Sequence, residues 1–321
     1  MVLVGNGGEV VDAQTGAVVR RFPGFPASSV FNFCNSACFA VSPQLTWLTY
    51  LDPTSATPKI VEIEGRTGGR VAEVAVPRLD AQGVAPDGQI AVAYVDGTRL
   101  FARLINPRSG RVTELQPGES SYGCAATTPS FTPDGRLMAI VDGCTNVVVW
   151  DVRSGRVIRT ITLADRANAS SAAGGGTTAS GAHLSPDGRY VLVAVEGGGL
   201  VRIDLRTGGF AERPGTQTVA KALAISPDGR FYAIGRQDGT VDEYDARSLQ
   251  LVRHHELDNP IQTLVFSPDS RELAIEDASN VVWIWDTCAV CENPTRLAQL
   301  AAQESVRELT QSERATFGIS Q

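Results

Sequence analysis

The chain contains few of the residues that enzymes use most often. Its 321 residues include only three histidines, His183, His254 and His255. It has no Gly-x-Ser-x-Gly, no phosphate-binding P-loop and no His-Glu-x-x-His motif. General acid–base catalysis needs a positioned partner group, whereas most acidic residues here belong to repeated turns. We therefore expect core or surface histidines and no catalytic residues.

Long apolar runs and an excess of positive charge are also absent. No stretch approaches the roughly 18 apolar residues of a membrane span, and the first residues lack a basic segment before an apolar core. The formal net charge is −7, which disfavours phosphate backbones and anionic lipids. We predict no nucleic-acid partner, no direct membrane insertion and no cofactor. The expected location is cytoplasmic, or extracytoplasmic if the intact protein has an upstream membrane span.

Two short phrases recur along the chain. One is a turn containing proline, aspartate and glycine, and the other closes a strand with an acidic or amide residue before a second turn. The turn prolines are Pro43, Pro86, Pro133, Pro186, Pro227 and Pro268, and the closing residues are Asp12, Glu64, Asn106, Asp151, Asp204, Asp245 and Asp286. Successive closing residues are 41 to 53 positions apart. A period near 40 with several short strands per unit indicates a β-propeller.

Each repeat reads as four strands. Apolar segments such as 137–141 and 190–194 follow the proline turns, and others precede them. Because proline presets φ and Asp-Gly suits the rest of a tight turn, these pairs should form antiparallel hairpins. A third strand, such as 146–150, runs to the closing residue, and a fourth follows. Four strands make one blade.

The motifs Ser-Pro-Asp-Gly-Arg, Val-Trp150-Asp151 and Ile-Trp285-Asp286 resemble the WD40 repeat. The resemblance covers nearly the whole chain through Asp286. It implies a ring of four-stranded blades that holds protein or peptide partners. The Gly-His of the family is absent before the first strands, and Trp-Asp becomes Ile203-Asp204 and Tyr244-Asp245 elsewhere. We therefore expect stability to depend more on apolar packing between blades.

Counting the motifs predicts an all-β, seven-bladed WD40-like propeller over 1–286, with a partial N-terminal blade. Seven closing motifs but six proline turns occur, and residues 1–4 and 8–12 already read as second and third strands. The two missing strands would precede Met1, so we expect the chain to be the C-terminal piece of a longer protein or to carry a late start. The alternative is a six-bladed ring in which residues 17–22 close the last blade.

Residues 287–321 form a predicted tail with a Cys288-x-x-Cys291 motif and short helices. The apolar spacing of 296–306 suits a helix, and Thr310-Gln-Ser-Glu313 has the form of a capping box. The tail resembles the C-terminal end of bacterial multidomain signalling and regulatory proteins, such as STAND-type NTPases and transcriptional regulators. That resemblance implies an upstream effector domain outside this chain.

An aromatic insertion between the first closing residue, Asp12, and the first proline turn, at Pro43, is the predicted partner-binding loop. It contains Phe22, Phe25, Phe31 and Phe33 together with two prolines. Aromatic residues dominate binding hot spots, which favours an apolar anchor for a partner. The alternative is that these phenylalanines fold back and cap the core, since exposed apolar patches are uncommon.

Six cysteines form three candidate pairs, which are Cys124 with Cys144, Cys34 with Cys38, and Cys288 with Cys291. Cys124 and Cys144 flank one hairpin, and antiparallel pairing brings them close together. Each pair is either a disulfide or two ordinary thiols, and disulfides require an oxidising compartment. The other two pairs lie on opposite faces of the expected ring, so no metal site is predicted.

These observations favour a noncatalytic scaffold or sensor for protein–protein interaction, within a larger bacterial signalling protein. The alternative is a propeller enzyme, similar to hydrolases or lactonases, with a small-molecule site in the central channel. Clustered carboxylates or a metal in the channel would favour the enzyme.

Overall fold

The computed structural model describes residues 2–4, 9–11, 18–21, 39–42, 46–52, 57–65, 67–121, 123–163, 179–195, 199–213, 218–279 and 281–287. Within these ranges the chain forms strands and turns and no helix. The chain divides into two compact units, Met1–Trp285 and Asp286–Gln321. Of the second unit, only residues 286 and 287 are described.

The first strands form an antiparallel sheet of their own. Its strands are β1 (Val2–Val4), β2 (Glu9–Val11) and β3 (Val18–Arg21). The order is β1-β2-β3, so β3 pairs with β2. The closure of the last blade by residues 17–22 is therefore wrong, although the six blades of that alternative are the number that the structure shows.

Six further sheets follow in chain order, and we number them as blades. Blade 1 contains β4 (Phe39–Val41), β5 (Trp47–Asp52), β6 (Lys59–Glu64) and β7 (Arg70–Ala75). Blade 2 contains β8 (Ala81–Val84), β9 (Ile90–Asp96), β10 (Arg99–Ile105), β11 (Val112–Glu114) and β12 (Gly118–Glu119). Blade 3 contains β13 (Ser130–Phe131), β14 (Leu137–Val141), β15 (Asn146–Asp151) and β16 (Arg156–Thr162).

The last three blades repeat the same order. Blade 4 contains β17 (Ala179–Leu184), β18 (Tyr190–Val195), β19 (Gly199–Asp204) and β20 (Phe210–Arg213). Blade 5 contains β21 (Ala220–Ile225), β22 (Phe231–Arg236), β23 (Thr240–Asp245) and β24 (Leu251–Glu256). Blade 6 contains β25 (Ile261–Phe266), β26 (Glu272–Asp277) and β27 (Val282–Asp286). Neighbouring strands are antiparallel throughout blades 1 to 5, and in β25 and β26.

The hydrophobic core lies between successive blades. Ile60 of blade 1, for example, packs with Ile90, Val92 and Ile105 of blade 2. Similar buried clusters join each later blade to the next. Every residue of β14 is buried, because both faces of that strand meet a neighbouring sheet. A propeller built this way depends on apolar packing between blades, as the sequence predicts.

The prediction of an all-β propeller with four-stranded repeats is confirmed, but the predicted seven blades are wrong. Six sheets, β4 to β27, pack in series as blades. Strands β1 to β3 form a separate three-stranded sheet that is not one of these six, and the first predicted closing residue, Asp12, lies outside the described residues. Counting motifs overestimated the blades because a turn motif does not require a packed sheet. The described residues contain no helix, and the predicted helices at 296–306 and after 310 lie outside them.

The antiparallel order of the strands places two sets of turns at the same end of each blade. The chain reverses after every strand, so the turns from strand one to two and from strand three to four emerge at one end of a blade. The turns of neighbouring blades meet there, since the Asp228 N–H donates to the Ser270 hydroxyl across blades 5 and 6 at 3.0 Å. We call this end the turn face. It consists of residues 86–89, 106–110, 133–136, 151–155, 186–189, 204–208, 227–230, 245–249 and 268–271.

Candidate functional site

Hydrogen bonds inside each proline turn hold its backbone rigidly. In blade 3 the Thr132 hydroxyl donates to Asp134 Oδ1 at 2.6 Å, and the Arg136 N–H donates to the same oxygen at 3.0 Å. Serine and aspartate repeat this bond in blades 4, 5 and 6 at 2.6 to 2.7 Å. Short polar side chains that bond their own backbone stabilise such turns. The repeated motif is therefore first a structural device.

The closing aspartates hold the second set of turns in the same way. Asp151 Oδ1 accepts from the Ser154 N–H at 2.8 Å, and Asp204 Oδ1 accepts from the Thr207 N–H at 2.7 Å. These backbone hydrogen bonds lower the pKa of Asp151 and Asp204. The Thr132 hydroxyl likewise lowers the pKa of Asp134. The turn face therefore carries ionised carboxylates at neutral pH, each engaged with its own turn.

Both turn types need a residue with positive φ. Gly155 and Gly208 have φ values of 68° and 73° at the fourth position after the closing aspartate. Leu249 takes that position in blade 5 with φ 56°, and Ser270 replaces the usual glycine in blade 6 with φ 61°. Glycine adopts this region without steric cost, whereas leucine and serine do so with strain. Burial of Leu249 and the hydroxyl bond of Ser270 compensate for it.

Exposed arginines project from these turns. Each proline turn of blades 3 to 6 ends in an arginine, and each second turn of blades 2 to 5 contains one. The first set comprises Arg136, Arg189, Arg230 and Arg271, and the second comprises Arg108, Arg153, Arg206 and Arg247; all eight are exposed. We call these the inner row and the outer row. The Pro-Asp-Gly-Arg motif repeats in the sequence, but its arginines were not among the predicted site residues.

A buried polar network lies within blade 5, on the face that packs against blade 4. Asp242 Oδ2 accepts from Arg236 Nη1 at 2.7 Å and from the Tyr244 hydroxyl at 2.9 Å. Asp242 Oδ1 lies 2.6 Å from Nδ1 of His254, whose other nitrogen lies 3.3 Å from Glu256. The hydrogen bond to Asp242 raises the pKa of His254. These residues are hydrogen-bonded to one another, which indicates that the network is structural.

Two buried glutamates occupy the same repeat position, two residues before the closing residue. Glu62 faces blade 2 and Glu243 faces blade 6, and the exposed fraction of each is 1%. Glu62 Oε2 and both carboxylate oxygens of Glu243 have no hydrogen-bond partner among the described residues. Burial raises the pKa of Glu62 to about 7 and raises that of Glu243 as well. The corresponding residue of blade 4 is Arg202, which donates to the Ala246 carbonyl of blade 5 at 2.6 Å.

The histidines lie on two strands, and the adjacent His254 and His255 of β24 point to opposite faces of blade 5. His183 is on β17, and burial lowers its pKa to about 4. His254 belongs to the network just described, and His255 packs against Trp285 with 3.9 Å between ring centroids. Burial lowers the pKa of His255. None of the three is joined to a second histidine, a cysteine or a serine by a hydrogen bond among the described residues.

The predicted cysteine pairs have different outcomes. The structure joins Cys124 and Cys144 by a disulfide, with Cα atoms 5.8 Å apart. The bond links the segment before β13 to the turn after β14, at the end of blade 3 opposite the turn face. Cys34, Cys38, Cys288 and Cys291 lie outside the described residues. Their pairing stays a prediction.

The predicted aromatic anchors, Phe22, Phe25, Phe31 and Phe33, also lie outside the described residues. Their role in partner binding therefore stays a prediction. In the described part of the chain, no cluster of three or more histidine, cysteine or acidic side chains could hold a metal ion. Nor does any described segment form a helix suited to crossing a membrane.

A groove of about 330 Å³ lies between blades 1 and 2. Val74, Val92 and Ile105 line it, with Arg78 and Arg103 at its sides. Arg78 pairs with Asp96 at 2.9 Å, and Arg103 lies 3.4 Å from Glu114. Because both guanidinium groups already have carboxylate partners, the groove offers no uncompensated charge to a ligand.

Comparison with known proteins agrees with the repeat and the fold. No protein-family model matches the chain. A WD repeat-containing protein SL1-17 from Schistosoma mansoni is 28% identical over 160 residues, which are 46% of this chain and 44% of that protein. The match thus spans less than half the length of the curated relative.

Two solved structures share the architecture. Kuenenia stuttgartiensis hydrazine synthase superposes with a TM-score of 0.65 at 18% identity, covering 87% of this chain and 88% of that one. The β-propeller domain of Myceliophteria thermophila Cps50 (Swd1) gives 0.65 at 16% identity, covering 88% and 90%. These likenesses concern the fold alone. The fold and the repeats together define a β-propeller with WD40-like repeats.

Proposed function

We propose that the chain is a noncatalytic interaction propeller that holds a protein or peptide partner. The observation that supports this most directly is the turn face, where hydrogen-bonded turns of successive blades present side chains from a rigid framework. Functional residues commonly lie on loops positioned by such a scaffold. The WD repeat relative is consistent with the proposal.

We also propose that the chain belongs to a larger bacterial signalling protein and acts in the cytoplasm. The support for this is the resemblance of the tail to bacterial signalling proteins, and it rests on residues 288–321. An effector domain upstream of residue 1 belongs to the same proposal. Phe22, Phe25, Phe31 and Phe33 remain the proposed apolar anchor.

The alternative is an enzyme with a small-molecule site in the channel. Hydrazine synthase is an enzyme by name, but its likeness to this chain is one of fold. The enzyme would need an acid or base beside a reactive partner group. His183 on the inner strand β17 has no such partner among the hydrogen bonds of the described residues.

Affinity capture with the folded chain tests the proposed function. The control is the same chain after irreversible thermal unfolding, and each captured protein is then purified and titrated calorimetrically. We expect at least one protein that binds only the folded chain with a saturable, defined stoichiometry. If no captured protein binds directly when purified, the scaffold proposal is wrong.

Replacement of residues 22–33 tests the aromatic anchor separately. A chain with these residues replaced by a glycine-serine linker of equal length should lose affinity for the purified partner while keeping its melting temperature. Equal affinity of both chains would remove this loop from the proposal.

A further inference from the structure

We infer that the turn face binds an acidic segment of a protein partner through the inner and outer rows of arginines. This inference rests on the proposed function and names the surface and the chemistry of the partner. It differs from the aromatic-loop hypothesis, because it concerns described residues on rigid turns.

The two rows form one continuous surface. The inner row follows the proline turns and the outer row follows the third strands, and both turn types emerge at the same end of a blade. Neighbouring turns are in contact, since a Cβ at Gly135 would lie 3.6 Å from Pro86, and one at Gly229 would lie 3.3 Å from Pro186. Successive blades therefore present their arginines at regular positions along a single face.

Seven of these eight guanidinium groups have no ion-pair partner among the described residues. Among the described residues, ion pairs within 4.0 Å involve Lys59, Arg70, Arg78, Arg103, Arg236 and His254. No such pair includes Arg108, Arg136, Arg153, Arg189, Arg206, Arg247 or Arg271. The adjacent aspartates instead accept hydrogen bonds from their own turns. These seven arginines are thus available to a carboxylate from outside.

Aromatic rings hold three of the guanidinium groups in place. Arg108 lies 4.8 Å from the centre of the Trp47 ring, and Arg189 lies 5.2 Å from that of Tyr190. Arg230 lies 5.3 Å from the ring centre of Phe231. Stacking restricts a long side chain before binding, which reduces the entropy lost when a partner docks. A planar guanidinium held in this way can form two parallel hydrogen bonds to a carboxylate.

The charge pattern favours an acidic protein segment over a nucleic acid. Ionised aspartates, including Asp134, Asp151 and Asp204, alternate with the arginines along the turn face. A continuous phosphate backbone would pass close to these carboxylates and be repelled. A peptide with spaced glutamates or aspartates can place its charges on the arginines and neutral residues between them. The surface therefore fits discrete carboxylates.

The test compares two variants with the same charge. Arg153→Gln/Arg206→Gln/Arg247→Gln removes three cations from the outer row. The matched control, Arg99→Gln/Arg213→Gln/Lys221→Gln, removes three exposed cations from the opposite end of the blades. The probe is a fluorescent peptide of alternating glutamate and serine, followed by anisotropy at about 50 mM and about 300 mM salt. Circular dichroism melts check that both variants fold.

We expect the turn-face variant to bind the peptide roughly tenfold or more weakly than the wild type, from three exposed charge pairs. The control should stay within about twofold, and binding should weaken with salt. Equal losses in both variants, or no loss in either, would overturn the inference. So would duplex DNA that binds more tightly than the peptide and depends on the same arginines.

The purified partner from affinity capture separates this inference from the proposed function. A partner that binds wild type and the turn-face variant equally would overturn the arginine surface while leaving the scaffold function standing. A partner that the outer-row variant fails to bind, but the control binds, supports both.

Discussion

Arg236 and Asp242 form a buried ion pair in blade 5, with 2.7 Å between Nη1 of the arginine and Oδ2 of the aspartate. Only 1% of the Arg236 side chain and 6% of the Asp242 side chain are exposed. The Tyr244 hydroxyl and Nδ1 of His254 also form hydrogen bonds with the Asp242 carboxylate. Asp242 is therefore a close counter-charge of a desolvated guanidinium.

Replacing Asp242 should therefore be severely destabilising. Asp242→Asn removes a buried counter-charge of Arg236 and should lower the free energy of unfolding by about 3–5 kcal/mol, measured by urea denaturation. The double variant Arg236→Met/Asp242→Asn removes both charges and should lose less stability than the single variant. A single variant within about 1 kcal/mol of wild type would contradict the buried pair.

The raised pKa of Glu62 predicts that the folded chain loses stability as the pH rises from 4.5 to about 7. Its usual pKa of 4.5 is raised to about 7 in the folded chain, so the folded state binds its proton more tightly than the unfolded state does. The resulting stabilisation is complete below pH 4.5 and is lost as the pH rises through 7. Glu62→Gln, which is neutral at every pH, should be more stable than wild type at pH 8.5 by on the order of 1–3 kcal/mol.

Thermal melts at pH 5 and pH 8.5 check the Glu62 prediction. The exposed Glu114→Gln variant is the control and should show no such pH-dependent gain. A Glu62→Gln variant that is equally destabilised at both pH values would show that the carboxylate is needed in its ionised form.

Two glycines of equivalent turns should differ sharply in their tolerance of alanine. Gly97 and Gly143 follow Asp96 and Asp142, with φ values of 62° and 74°. A Cβ at Gly97 would meet nothing within 4 Å, whereas one at Gly143 would collide with the Ala125 carbonyl. Gly97→Ala should cost about 1 kcal/mol from backbone strain alone. Gly143→Ala should cost several times more, as measured by chemical denaturation, and equal costs would contradict the close approach.

The Cys124–Cys144 disulfide should stabilise blade 3. The two cysteines are 20 residues apart in the sequence. The loop-closure entropy of a loop of this size corresponds to a stabilisation of about 3 kcal/mol. Cys124→Ser/Cys144→Ser should lower the melting temperature in oxidising buffer and make it insensitive to dithiothreitol, whereas wild type should respond to the reductant. Mass spectrometry of the protein isolated from cells with blocked thiols reports the bond directly. A reduced pair would fit the proposed cytoplasmic location, and an oxidised pair would point to an oxidising compartment.

The repeated residues were the part of the fold that could be predicted. Proline, aspartate and glycine at fixed spacing dictate turns through local backbone geometry, so hairpins such as β13–β14 follow from the sequence alone. The number of blades could not be counted in this way, because a closing motif can occur beside a sheet that is not one of the blades, such as β1–β3. Packing between sheets depends on side chains far apart in the chain.

The candidate site was predictable only in part. The turns that carry the arginines were recognised, but exposure and the lack of internal ion pairs at Arg153 or Arg206 emerge only when neighbouring blades are assembled. Arg236 and Asp242 escape sequence inspection for a different reason. They belong to adjacent strands of one blade and do not recur at the equivalent positions of other repeats. The repeat pattern therefore cannot indicate that they pair.

Two positions before each closing residue, the blades differ in a way that restricts their arrangement. Glu62, Arg202 and Glu243 occupy this position in blades 1, 4 and 5, and each meets a different neighbour. The units are therefore not interchangeable despite their common backbone. Transposing blade 4 and blade 5 would place an arginine where a buried carboxyl group belongs. The order of the repeats along the chain therefore specifies the order of the blades through the mismatches that other orders would incur.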